Sequence, residues 1–145
     1  MIGNHLIQGT TFTKYSKPKA YQRLITCIKL FFELQHAIKL QHWFTKSHAR
    51  HVALDTLLDE MTSHIDQFVE VAIGKFNIVE NIGSEHAALS LRVALHDHEE
   101  FKNYLIQTSR DIESLRLPRK HRELENIIDD MLVSIQQALY RLGLS

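Results

Sequence analysis

His51, Asp55, Asp66 and Glu70 stand at spacings that a helix can turn into metal chemistry. An imidazole and a carboxylate four residues apart lie on one helical face and can reach one ion. Asp66 and Glu70 repeat that spacing with two carboxylates. With His42 added, the set mixes neutral nitrogen and anionic oxygen donors. Such a set suits Fe, Mn or Zn and leaves the choice of metal open. At roughly 100° per residue, the four helical positions share one arc about 100° wide. That arc adjoins the apolar stripe of Leu54, Leu57, Leu58, Met61, Ile65, Phe68, Val69 and Ala72 without overlapping it.

Asp66 follows Asp55 by eleven residues, which is about 16 Å along a helix axis. Ligands bind a metal from only ~2.0–2.6 Å, so the two pairs cannot share an ion within one helix. A second copy laid antiparallel about a two-fold axis would bring them together. His51 then faces Glu70, Asp55 faces Asp66, and the axis passes between Glu60 and Met61. The spacing therefore predicts a homo-oligomer, a dimer at least, with two equivalent sites per dimer. His42 must arrive from the end of the preceding helix. The competing reading of this arc is a polar interface or a solvated face. For His42 alone, a helix cap or a core histidine competes with a ligand.

The elements that must position these residues are helices. Residues 1–19 carry Gly3, Gly9, Pro18 and a Thr-rich stretch without helical period, and read as a flexible tail. A first helix is expected from about Ala20 to Phe44, with Leu24, Ile28, Phe31, Gln35 and Ile38 inward and His42 continuing the line. The second runs from about His48 to Ala72, with Gly74 at or just past its end. Ser84 is the expected N-cap of a third helix reaching about Leu115, whose inward residues include Ala88, Leu91, Leu95, Phe101, Leu105 and Ile112. Pro118 suits the first turn of a fourth, which carries Leu124, Ile127, Ile128, Met131, Ile135, Leu139 and Leu142. No strand signal, repeat or low-complexity tract interrupts the series. An all-α four-helix bundle over residues 20–145 is the expected architecture.

Here the chain resembles the Dps-like miniferritins of the ferritin superfamily. His42-Trp43 matches that family's His-Trp at the end of the first long helix. His51 and Asp55 match its His-x-x-x-Asp, Asp66 and Glu70 match its Asp-x-x-x-Glu, and Lys39 also fits. The match is close over residues 36–74. The resemblance implies a ferritin-like up-down bundle and a ferroxidase site between two-fold-related subunits. Its ligands and catalytic residues would be His42, His51, Asp55, Asp66 and Glu70. It implies iron as the metal, oxidised by peroxide or oxygen and then stored or sequestered, which limits oxidative damage. A dodecamer is implied as a further assembly. The chain is also similar to short ferritin-like proteins of large DNA viruses that share the His-Trp and Ser-x-Ala-Arg-His runs.

Composition narrows the classes. A length of 145 residues fits one domain. Seventeen basic and 17 acidic residues cancel to a formal charge of zero, which argues against strong nonspecific nucleic-acid binding. Lys14, Lys17, Lys19 and Arg23 are the basic residues of the tail region that could touch DNA phosphate; a solvated tail is the plainer reading. No apolar run approaches about 18 residues, so no membrane span is expected. No basic-then-apolar leader is evident, and a cytoplasmic protein (host cytoplasm or virion if viral) is expected. Cys27 lies among Leu24, Ile25 and Ile28 and reads as a small buried hydrophobe.

Other histidines offer weaker patterns. Glu33-Leu34-Gln35-His36 has the Glu-x-x-His spacing of intrachain di-iron bundles, but only once, so surface residues are the preferred reading. His96 and His98 would project about 200° apart on a helix and cannot chelate together. His64 falls on the side of the second helix away from the ligand arc, and His5, His48, His86 and His121 have no partner pattern.

Overall fold

The apolar periodicities become four helices in a computed structural model, which describes residues 19–78, 97–115, 117 and 120–145. They are α1 (Lys19–Phe44), α2 (His48–Phe76), α3 (His98–Ser114) and α4 (Arg122–Gly143). No strand occurs among the described residues. Residues 1–18 of the expected tail, Ser84, Ala88, Leu91, Leu95 and Pro118 lie outside them, while Lys19, expected in the tail, already belongs to α1.

One apolar core holds the helices together. Phe31 of α1 meets Phe68 of α2 edge to face, with ring centroids 5.0 Å apart, a favoured aromatic geometry. Leu57, Met61, Phe101, Leu105, Leu124, Met131 and Ile135 pack around them without solvent contact. Gln35, the polar member of the α1 stripe, is half-buried and donates to Thr62 Oγ1. α2 is the central element: it packs against α1 on one side and α4 on the other, and α3 closes against α4 and α1.

Helix directions follow from cross-contacts. Gln35 meets Thr62 and His42 meets Asp55, so α1 and α2 run antiparallel. His64 meets Ser134 and Lys75 meets Glu123, so α2 and α4 do too.

Two helix ends differ from the sequence expectation. α2 passes through Gly74 and stops at Asn77, whose φ of 49° and ψ of 51° place it in the left-handed region. Its N–H bonds to the Ile73 carbonyl at 2.8 Å, a helix-ending contact. Asparagine tolerates that backbone better than most residues, so it supplies the stop that Gly74 was expected to supply. α3 begins only at His98, because Asp97 is extended and its carboxylate accepts from the Glu99 N–H at 2.9 Å. A continuous helix across 84–115 is therefore wrong at residue 97. Likewise α4 starts at Arg122, four residues after Pro118, so that proline is not in its first turn.

Cys27 is buried as expected. Burial, with the field of Glu125, pushes its thiol up to about 12, so it stays protonated and unreactive near neutrality.

Gly74 is a helical residue with nothing within 4 Å of where a Cβ would stand. Alanine there restricts the unfolded chain and meets no obstacle. Gly74→Ala is expected to stabilise the fold by about 0.5–1 kcal/mol, read as a higher denaturant midpoint at unchanged slope. An unchanged or lower midpoint would show that this position has a constraint beyond the single chain.

Candidate metal centre

Three residues, 45–47, join α1 to α2. Thr45 N–H bonds back to the Gln41 carbonyl at 3.0 Å, closing α1. Ser47 is extended (φ −91°, ψ 122°) and its hydroxyl accepts from Arg50 N–H at 3.4 Å, capping α2. So short a link forces the last turn of one helix against the first turn of the next. His42 and His51 are thereby brought into contact, their rings stacked with centroids 4.0 Å apart and planes 27° apart.

Hydrogen bonding fixes one tautomer. His51 Nδ1 lies 3.1 Å from the His42 backbone carbonyl. A carbonyl only accepts, so Nδ1 carries the hydrogen and Nε2 keeps a free lone pair. An imidazole anchored in this way through its other nitrogen is what metal-binding histidines usually show.

His42 is in the opposite condition. Its side chain is 9% exposed, and neither ring nitrogen makes a hydrogen bond. Nε2 comes within 3.3 Å of Asp55 Oδ1 without hydrogen-bond alignment. Burial, then the neighbouring His51, hold its pKa below the ordinary 6.5, against the opposing pull of Asp55. Lys39 lowers it further and Asp59 raises it. A neutral imidazole is the form that binds metal. A buried polar group without a partner costs roughly 1–3 kcal/mol, and such groups call for an explanation. Beside His51 and Asp55, this imidazole could serve as a neutral nitrogen donor.

His42, His51 and Asp55 thus come together in one chain. Asp66 and Glu70 do not join them. Both are exposed on α2, and Asp66 lies about 16 Å along the axis from Asp55. Among the described residues, no three His, Cys, Asp or Glu side chains are arranged to hold an ion. The stacked rings are side by side rather than converging.

Several features of this corner had no sequence signal. Gln41 is buried, with its side-chain oxygen unpartnered. Trp43 is 63% exposed rather than core, and Phe44 and Val52 are also largely exposed. The Lys39 ammonium sits 5.4 Å over the Trp43 ring. Two partners of the other histidines are also new. His64 meets Ser134 Oγ at 3.2 Å, on the α4 side and away from the ligand arc. His121 packs edge to face on Phe76. His5, His86 and His96 are outside the described residues.

Residues 42–142 match the model of a family of unknown function, DUF5856, and the chain belongs to that family. No curated protein and no solved structure matches it. No helix among the described residues is long and apolar enough to cross a membrane.

The depressed pKa of His42 has a stability consequence. The unfolded chain binds a proton at this site more readily than the folded one. Stability therefore rises with pH and is lost as pH falls through about 6.5. Burial lowers His98 and His121 too, so they act in the same direction. The thermal midpoint should fall between pH 7 and pH 5.5, and His42→Asn should flatten part of that fall. A midpoint that holds or rises on acidification would contradict the burial of a neutral His42.

Proposed function

We propose that this chain is a Dps-like iron-binding protein with ferroxidase activity at a site shared by two-fold-related copies. The observation that carries the reading is the buried, unpartnered His42 imidazole beside His51 and Asp55. Asp66 and Glu70 stand exposed at the reciprocal positions on the same helix. Antiparallel pairing of two α2 helices supplies Asp66 and Glu70 of one copy to the triplet of the other. In that pairing His51 faces Glu70 and Asp55 faces Asp66, so a cation held between the copies would offset the repulsion of the facing carboxylates. A ferritin-like up-down bundle is part of the same reading.

Each residue then has a task. His42 and His51 offer neutral nitrogens. Asp55, Asp66 and Glu70 offer anionic oxygens, which favour Fe(III) over Fe(II) and so favour oxidation. Iron is the substrate here. Two Fe(II) ions lose one electron each, and a peroxide takes both electrons and two protons and leaves as two waters. Oxygen is the alternative oxidant, and Mn or Zn could occupy the same donors. Acid weakens the site, because protonating either imidazole removes a ligand. A dodecamer, and DNA contact by the tail, are extensions of this reading that the α2 geometry does not require.

A second reading is a non-enzymatic structural or interaction bundle that uses the polar arc as an interface. The exposed Trp43, Phe44 and Val52 beside the triplet favour it. Metal content of freshly purified protein separates the two.

The direct test is titration with Fe(II), Mn(II) and Zn(II). The wild-type chain should bind at least one of these ions saturably, and Asp55→Ala/Glu70→Ala should weaken that binding roughly tenfold or more, about 1.4 kcal/mol. Equal binding by the two would overturn the assignment.

A further inference from the structure

The groove between α1 and α2 continues past the His42–Asp55 contact. About a turn farther along each helix, Gln35, His36, Lys39, Leu58, Asp59 and Thr62 line a cleft of about 300 Å³. Four observations define its chemistry.

His36 Nδ1 is 2.8 Å from the Phe32 carbonyl. By the same logic as for His51, Nδ1 carries the hydrogen and Nε2 keeps its lone pair. Thr62 donates its hydroxyl hydrogen to the Leu58 carbonyl at 2.8 Å, so its oxygen must accept from Gln35 at 2.9 Å. That assigns the Gln35 nitrogen and leaves its Oε1 as an unused acceptor. Asp59 forms no ion pair among the described residues, although its charge is felt at His42. The lysine of the lining is occupied elsewhere, since Lys39 lies over the Trp43 ring.

We propose that this cleft is a second divalent-cation site, built within one chain from His36 Nε2, the Asp59 carboxylate and Gln35 Oε1, with water completing the shell. One imidazole, one carboxylate and one amide oxygen suit a borderline ion such as Zn(II). The third donor is an amide, which explains why the two titratable ligands alone form no chelating trio. The site does not rest on the shared centre: all three donors belong to one chain, so a monomer holds the complete set.

Zn(II) titration by calorimetry tests this in the full chain carrying His51→Ala, Asp66→Asn and Glu70→Gln, which disables the shared centre. That background should still take up one Zn(II) per chain. Adding His36→Ala, or separately Asp59→Asn, should abolish the uptake while helical circular dichroism is unchanged. No uptake by the background, or uptake that survives either added substitution, would overturn the proposal. Neither result depends on whether the wild-type chain binds iron between copies.

Discussion

Three residues between α1 and α2 constrain the whole ligand region. Thr45, Lys46 and Ser47 leave no room for the helices to part, so they run antiparallel from the turn onward. The same turn places His51 where its Nδ1–H reaches the His42 carbonyl. It also presses the two rings together and encloses the His42 side chain. An imidazole enclosed without a hydrogen bond is a local cost of about 1–3 kcal/mol. The fold tolerates it because the apolar contacts farther along, led by Phe31 and Phe68, hold α1 and α2 in place regardless. Stability is supplied by the middle of the helix pair, and the proposed metal centre sits at its end.

α2 serves both purposes with different faces. Leu54, Leu57, Met61, Ile65 and Phe68 turn inward, while Asp55, Asp59, Asp66 and Glu70 turn outward. Carboxylates spaced at one turn or more along an exposed face repel one another weakly and remain solvated. Cations, whether metal ions or the histidine-bearing end of another copy, are the natural complement to such a face. The groove toward α1 adds imidazoles at two levels: His42, 3.3 Å from Asp55, and His36, in the cleft that Asp59 also lines. In the proposed reading, cation binding along this groove and pairing through α2 are two uses of one charge pattern.

Much of this was readable from residue order, because it depends on periodicity. The stripes from Leu24 to Ile38 and from Leu54 to Ala72 fixed α1 and α2 closely, and Leu124 to Leu142 did so for α4. Ends were less legible, because several residues compete to stop a helix. Gly74 lost to Asn77, whose left-handed backbone and bond to Ile73 end α2 two residues after Gly74 would have. Asp97 gives no clear cap signal in the residue order, because it sits within a run that reads as helical from Ser84 to Leu115. For the proposed ligand residues, the spacing along α2 was legible, as was the place of His42 near the end of α1. The inward side of His42 was legible too, because it continues the α1 stripe, but tautomers and ring stacking were not, since they arise from how two helices meet. Trp43 could have suited core or interface by composition, and only packing shows it exposed.

The most direct measurement mixes two defective proteins. A chain with His51→Ala and Asp55→Ala lacks one half of the shared centre; a chain with Asp66→Ala and Glu70→Ala lacks the other. Neither homodimer holds a complete centre. In an equal mixture with free subunit exchange, half the dimers are mixed and each has one intact centre of two. Iron oxidation should then recover to about a quarter of the wild-type rate. No recovery, with exchange independently confirmed, would contradict a centre completed between chains.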